Sequence, residues 1–136
     1  MKYIGNLAFS TTAIKEVTIP ANVEKIGYAA FRKCMDLEKV TFEPGCKLKV
    51  IDYNTFDSCR SLTAIVIPAM VEEIKEWAFN GCSSLTTVTI TNPDTKIGAD
   101  AFKDCPSLAA ITVATKDQKD TLIKAGIPDS IIHYNN

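Results

Sequence analysis

Apolar residues return along this chain at a nearly fixed spacing. Phenylalanine recurs at intervals of 22, 25, 23 and 23 residues. The repeated positions are Phe9, Phe31, Phe56, Phe79 and Phe102. An isoleucine lies five residues before each phenylalanine, and a leucine lies six residues after each of the last four. A period of about 20 to 50 residues is the signature of stacked repeats, so the pattern predicts a solenoid.

Every repeat also contains a segment in which two apolar residues flank a third position that is usually polar, as in Val88, Thr89 and Ile90. This alternation predicts a short, half-buried strand. Strands of successive coils should pair in parallel at a spacing of about 4.8 Å. Small and turn-forming residues around the Phe-x-x-Cys step predict one short helical turn per coil. No helical period persists long enough to predict a long amphipathic helix.

The repeat motif resembles a known family. Segments such as "AFNGCSSLTTVTI" (78–90) and "AFKDCPSLAAITV" (101–113) share the pattern A-F-x-x-C-x-x-L-x-x-V-x-I, with valine and isoleucine interchanged at the end. From Ile4 to about Val113 the chain resembles the BspA-like class of leucine-rich repeats. The resemblance implies a leucine-rich-repeat right-handed solenoid of about five to six coils, with short parallel strands lining a concave face. It also implies a binding or adhesion protein that is secreted or on the cell surface.

The repeat boundaries predict how the chain is organised. We expect a single leucine-rich-repeat domain over 1–136, with an incomplete first repeat (1–20), repeats (21–113) and a C-terminal cap (114–136). In the cap, Thr115 should begin a helix, Gly126 with Pro128 should end it, and "SIIHY" should add a strand. Such a helix-strand cap protects the end of a solenoid. The first coil has no comparable cover, which predicts either self-association through its N-terminal edge or a longer solenoid.

Composition and charge narrow the range of partners. The chain has 136 residues, of which 46% are hydrophobic, as expected for a folded protein. Its 15 basic and 16 acidic residues give a net charge of -1. This balance does not favour nucleic acid or an anionic membrane as a partner. The sequence predicts neither membrane insertion nor a signal peptide within these residues.

Cysteine occupies the same place in four repeats. These cysteines are Cys34, Cys59, Cys82 and Cys105. A metal site is not predicted, because no C-x-x-C pair is present and the only histidine is His133. Free cysteine packs as a small, buried hydrophobe, so we interpret the four as packing residues. Cys46 lies outside the register in "EPGCK", where a turn could expose its thiol for pairing with another chain; a free cysteine without a role is the favoured interpretation.

Catalytic motifs do not emerge from the sequence. It contains no glycine-rich phosphate loop, no G-x-S-x-G and no H-E-x-x-H. With a single histidine in the predicted cap, a nucleophile and base pair would have to form across the whole domain. We therefore predict neither an enzyme nor a bound cofactor, and we expect an orienting or surface role for His133.

The outward positions of the strands form the candidate binding surface. Threonine or valine stands between the two buried residues of each strand and should form a row on the outer face of the sheet. Strand propensity alone also favours threonine there, so the row has a purely structural explanation as well. Trp77 is a separate candidate, either an interface anchor or a partly buried residue on the convex side. The predicted binding residues are Lys39, Thr41, Thr63, Val66, Thr87, Thr89, Ala110, Thr112 and Trp77.

Two functions are compatible with these features. The first is a non-catalytic adhesion module that recognises a protein, such as a host or cell-surface protein, or less readily a glycan, through the strand face. The second is a structural spacer or self-assembly segment of a longer solenoid. Repetition supplies an extended surface without a deep pocket, which suits many modest contacts with a large partner.

Overall fold

The computed structural model describes residues 2–134. Within them, eleven short strands, one α-helix and one turn of 3-10 helix (Asp129–Ile131) follow one another along the chain. Their bounds are β1 (Tyr3–Ile4), β2 (Glu16–Ile19), β3 (Lys25–Ile26), β4 (Lys39–Phe42), β5 (Val50–Ile51), β6 (Ala64–Ile67), β7 (Glu73–Ile74), β8 (Thr87–Ile90), β9 (Lys96–Ile97), β10 (Ala110–Val113), α1 (Lys116–Lys124) and β11 (Ile132–Tyr134).

Each complete coil carries a two-residue strand and a four-residue strand. The two-residue strands pair in parallel in the order β1-β3-β5-β7-β9. The four-residue strands form a two-stranded sheet, β2-β4, and, with the three-residue β11, a four-stranded sheet in the order β11-β10-β8-β6. The result is the predicted leucine-rich-repeat solenoid of parallel strands, with about six turns.

A column of phenylalanine rings runs through the core. Neighbouring rings lie almost parallel, with centroids 5.2 to 5.4 Å apart from Phe9 to Phe102. Phe31, Phe56 and Phe79 are fully buried, each between the rings of the two adjacent coils. Stacking therefore supplies the contacts that one short coil cannot make by itself.

The coil at 78–90 shows the predicted division between inside and outside. Phe79, Cys82 and Leu85 are fully buried, and Thr87 is exposed. Thr89 is half-buried and lies between Val66 and Thr112 of the neighbouring strands. The alternation in the sequence thus identifies which side chains face the core.

The predicted helical turn takes the form of successive tight turns and not of a continuous helix. Ala29 adopts a left-handed conformation with φ of 52°, which interrupts right-handed helical geometry. The Ala30 amide donates within its coil to the Gly27 carbonyl at 3.3 Å, whereas the Phe31 amide donates to the Thr55 carbonyl of the next coil at 2.9 Å. Alternate amides therefore close the turn and join the coils. Other left-handed positions are Leu7, Thr11, Lys33, Asn54, Ser58, Trp77 and Asp104.

The C-terminal helix and strand confirm the predicted elements. The Thr115 hydroxyl accepts from the Gln118 amide at 3.2 Å, and the Gln118 side chain accepts from the Thr115 amide, which forms a capping box. Gly126 follows the helix with φ of 96°, a conformation that suits glycine. The buried Gln118 side chain also donates to the Asn92 and Thr95 carbonyls, which fixes α1 on the last repeat.

Candidate binding surface

The strand face places most of the predicted binding residues side by side. In the register of β6, β8 and β10, Thr87 lies between Ala64 and Ala110. Thr89 lies in the same way between Val66 and Thr112. Parallel strands in this register are about 4.8 Å apart. The four-stranded sheet therefore presents two short rows of small, mostly uncharged side chains.

The expected continuous row is interrupted, which corrects the sequence-based picture. Lys39 and Thr41 lie on β4, which pairs only with β2 among the described strands. No backbone pairing joins β4 to β6 in the described residues. The chain between β4 and β5 includes "EPGCK", in the repeat that is 25 residues long. These additional residues follow β4 directly, and the two coils separate on this side while β3 and β5 remain paired.

A groove occupies the gap between β4 and β6. Its volume is about 520 Å³ and its lining is mostly apolar. Lining residues from the two strands and the loops that follow them include Phe42, Pro44, Ile67, Pro68 and Met70. We call this feature, bounded by 39–46 on one side and 64–70 on the other, the β4–β6 groove. It is the part of the candidate surface that the repeat pattern did not indicate.

Cys46 lies beside this groove as a free cysteine, in agreement with the favoured interpretation, and its buried thiol is not exposed for pairing with another chain. Its side chain is only 4% exposed and belongs to the core. The Cys46 amide donates to the Glu43 carbonyl at 3.1 Å, and Gly45 takes the left-handed conformation that this turn requires. The Lys47 amide then donates to the Ala21 carbonyl at 3.0 Å. The loop consequently folds back onto the preceding coil and encloses the thiol.

Trp77 lies apart from the two strand rows. It sits in the turn that follows β7, adopts φ of 61° and is 40% exposed. Exposure at this position agrees with the range of side-chain sizes that other repeats place there. In the preceding coil, Tyr53 is also exposed. The Lys75 ammonium lies over its ring in a cation–π contact, 4.9 Å from the centroid. Trp77 thus belongs to the turn surface and not to the strand face.

His133 extends the strand face at its C-terminal end. It lies on β11, exposed and in register with Thr112. The sequence predicted an orienting or surface role for His133, and its side chain is exposed.

The repeated cysteines form a ladder of hydrogen bonds in addition to filling space. Each thiol donates to the carbonyl of the phenylalanine in the preceding coil. The pairs are Cys34 with Phe9 (3.1 Å), Cys59 with Phe31, Cys82 with Phe56 and Cys105 with Phe79 (each 3.2 Å). Cysteine is therefore a small side chain that also satisfies a buried carbonyl, which the packing interpretation did not include.

The same burial makes these thiols poor nucleophiles. Desolvation raises the pKa of Cys59 and Cys82 far above the ordinary value of 9.0, with a smaller contribution from neighbouring cysteines. Burial also raises the pKa of Cys105, to about 11. Because the thiolate is the reactive form of cysteine, these three side chains are unreactive at neutral pH.

A polar cluster around the buried Asp57 joins three coils on the turn side. The Asp57 carboxylate accepts from the Ser58 hydroxyl and the side-chain amide of Asn54, each at 2.9 Å. It also accepts from the side-chain amide of Asn80 at 3.3 Å. The Arg32 Nε atom lies 3.5 Å from the same carboxylate. Because these residue types change from repeat to repeat, the periodic pattern gave no signal for the cluster. Its contacts indicate a structural role in holding adjacent coils in register.

Residues 2–134 lack two further features. They contain no group of three or more histidine, cysteine, aspartate or glutamate side chains arranged to hold a metal ion. They also contain no helix with the length and hydropathy of a membrane span.

The stacked coils, the paired parallel strands and the periodic phenylalanine, cysteine and leucine core define a leucine-rich-repeat solenoid. The chain belongs to the BspA type leucine rich repeat family. The profile of the BspA type leucine rich repeat region matches residues 2–121 in 6 copies. A comparison with curated protein sequences gives no significant match.

Solved structures of similar proteins share this fold. A leucine rich cell surface protein from Faecalibacterium prausnitzii A2-165 is 29% identical with a TM-score of 0.80, over 88% of this chain and 32% of that one. The leucine rich repeat protein of T. pallidum is 30% identical with a TM-score of 0.75, over 82% of this chain and 51% of that one. A leucine-rich repeat protein from Bacteroides ovatus ATCC 8483 is 22% identical with a TM-score of 0.66, over 100% of this chain and 46% of that one, and shows the fold alone. The present chain therefore spans about half or less of the length of these proteins.

Proposed function

We propose that this chain is a non-catalytic protein-binding and adhesion module of a secreted or cell-surface protein, which recognises its partner through the strand face. The observation that carries the proposal is the pair of rows on β6, β8 and β10, held in a hydrogen-bonded sheet. Val66 is 63% exposed on β6, the edge strand of this surface. An ordered sheet loses little conformational entropy on binding, which favours its use as an interface.

The side chains on this face suit a protein better than a glycan or a nucleic acid. Threonine, valine and alanine offer apolar contact together with hydroxyl groups, while Lys39 adds one positive charge at the margin. Protein interfaces combine an apolar centre with a polar rim in this way. The family resemblance and the similarity to a cell surface protein support an extracellular location.

Two observations favour binding over catalysis. The repeated thiols are hydrogen-bonded to backbone carbonyls, and burial holds Cys59 and Cys82 in the protonated form. Leucine-rich repeat proteins are generally non-catalytic. Recognition by an extended surface is therefore the activity that this arrangement supports best.

Substituting both Val66 and Thr89 by arginine is expected to abolish binding through the strand face without unfolding the protein. Two large charged side chains, one on the edge strand β6 and one on the interior strand β8, would obstruct the row that faces the partner. Biolayer interferometry against immobilised, purified extracellular-matrix proteins, with thermal unfolding in parallel, measures both effects. We expect at least about a tenfold loss of affinity, equivalent to about 1.4 kcal/mol.

The control is Trp77→Ala, which removes an exposed aromatic side chain from the turn surface. It should leave binding to the matrix proteins unchanged if the strand face is the interface. A loss of binding in the control with retention in the double variant would place the interface on the turns. Equal binding by all three proteins would exclude both surfaces.

A second candidate function, self-assembly of solenoid units, is supported by the edge of the first coil. Leu7 and Phe9 are exposed there, and β1 and β2 each have a described strand partner on one side only. Exposed strand edges and apolar patches favour association. Leu7→Arg should therefore shift a concentration-dependent dimer to monomer in sedimentation velocity. Wild-type protein that stays monomeric at about 100 μM would contradict assembly through this edge.

A further inference from the structure

Backbone groups of β4 are directed into the β4–β6 groove. In a strand, the backbone groups of successive residues point to opposite neighbours. The Lys39 amide is directed toward the Lys15 carbonyl at 3.4 Å, and the Glu43 amide donates to the Ile19 carbonyl at 3.0 Å. The odd-numbered residues of β4 therefore face β2. It follows that the N–H and C=O groups of Val40 and Phe42 face the groove.

The facing edge on β6 is open in the same way. The Thr87 amide is directed toward the Thr63 carbonyl at 3.5 Å, so odd-numbered residues in this segment face β8. Ala64 and Val66 consequently direct their N–H and C=O groups away from β8 and toward β4. Since β4 and β6 are not paired in the described structure, two strand edges face each other across the groove.

The groove also has apolar walls and one available charge. Met70 is 49% exposed and Phe42 is half-buried at the end of the groove nearest the loops. The charged lining residues are Lys39 and Glu43. Lys39 is exposed, so its charge can meet a ligand, whereas one oxygen of the Glu43 carboxylate accepts from the Ala21 amide at 2.9 Å.

We infer that the β4–β6 groove binds an extended, apolar peptide segment of the partner protein by strand addition, with an acidic residue of that segment beside Lys39. This inference rests on the proposed protein-binding function and names its mode of recognition. An extended peptide presents alternating donors and acceptors along both sides, which match the partial charges of the two open edges. Its apolar side chains contact Phe42 and Met70, and its carboxylate complements the Lys39 ammonium.

Strand addition between both edges sets a geometric requirement. The backbones of β4 and β6 must stand two strand spacings apart, about 10 Å, when the segment is bound. The pairing of β3 with β5 and the stacking of Phe31 on Phe56 hold the same two coils together on their other sides. Reaching this spacing requires that β4 and β6 move apart while that paired side stays closed. Pro44 and Pro68 lie at the loop end of the groove and supply no N–H donors there.

The test uses the synthetic peptide acetyl-ETVTVTI-amide and the protein labelled with nitrogen-15. Binding should shift the amide resonances of Val40, Phe42, Ala64 and Val66 in a saturable manner. A peptide of the same sequence with alternate backbone amides methylated cannot donate those hydrogen bonds. It should bind about tenfold more weakly, the loss expected for removal of buried hydrogen bonds.

A matched pair of variants separates backbone from side-chain recognition at the same site. Val66→Pro removes the N–H that faces the groove, whereas Val66→Thr retains it and keeps a β-branched side chain. We expect about a tenfold loss of peptide affinity in the first variant and less than about twofold in the second. If Val66→Pro does not fold, the methylated peptide on the wild-type protein makes the same comparison.

Three results would overturn the inference. These are equal affinity for the methylated peptide, shifts confined to residues outside the groove, and a dimer in sedimentation whose formation without peptide shifts the groove amides. Failure of the strand-addition inference can be told apart from failure of the proposed strand-face function. If Val66→Pro binds matrix proteins normally while Thr87→Arg does not, the strand face remains the interface and only the strand-addition mode is wrong.

Discussion

Replacing Phe56 by alanine is expected to lower the free energy of unfolding by about 3 to 5 kcal/mol, the range for a buried aromatic residue that leaves a cavity. Phe56 is fully buried, and its ring lies 5.4 Å from that of Phe31 and 5.3 Å from that of Phe79. The substitution therefore removes two ring stacks and breaks the column between the second and fourth coils. Guanidinium unfolding followed by circular dichroism measures the change.

Phe9→Ala provides the matched control, because Phe9 occupies the same repeat position at the end of the column. Its ring is 37% exposed and stacks on Phe31 alone among the described aromatic residues. We expect a loss of about 1 to 2 kcal/mol, since less apolar area leaves the core. Equal losses at both positions would show that the column does not act as a cooperative core.

The sequence alone was sufficient to predict the stacking of coils, because the repeated residues are the ones that each coil buries. Phe79 and Leu85 are inside for this reason, and the helix begins at its capping residue Thr115 as expected. Local chemistry also explains the turn after the helix at Gly126. These features depend on spacing and on residues that are adjacent in the chain.

The features that the sequence could not reveal depend on departures from the repeat. The extra residues around Cys46 are visible as a longer interval, but not the direction in which the loop folds. Folding back buries the thiol and accompanies the opening of the groove beside Phe42. A periodic pattern predicts an average coil, whereas the groove arises from a difference between two neighbouring coils.

The cysteine ladder illustrates a second limit. Size and burial alone explain Cys82, yet serine or alanine would also be small. Only the position of the Phe56 carbonyl in the preceding coil, 3.2 Å from the Cys82 sulfur, shows that the thiol is a donor. Contacts between residues that are 26 positions apart depend on the registration of coils and cannot be read from one repeat.

Raising the pH from 9 to 11 is expected to destabilise the protein steeply. The pKa values of the Cys59 and Cys82 thiols are raised above the ordinary value of 9.0, first by desolvation and then by neighbouring cysteines. Above about pH 9 the unfolded chain releases these protons while the folded protein retains them, so stability falls as the pH rises. Each thiol contributes up to about 1.4 kcal/mol per pH unit, or about 3 kcal/mol per pH unit for the pair. Guanidinium unfolding in a phosphine reductant at several pH values measures the slope.

Cys82→Ser isolates the contribution of one thiol to this slope. The serine hydroxyl can still donate to the Phe56 carbonyl, but it does not ionise in this range. Lysine and tyrosine titration is common to both proteins and cancels in the comparison. The variant should therefore lose stability between pH 9 and 11 less steeply, by about 1.4 kcal/mol per pH unit, even if its stability at pH 7 is lower. Identical slopes would mean that the Cys82 thiol ionises in the folded protein as readily as in the unfolded chain. Its pKa would then not be raised by folding.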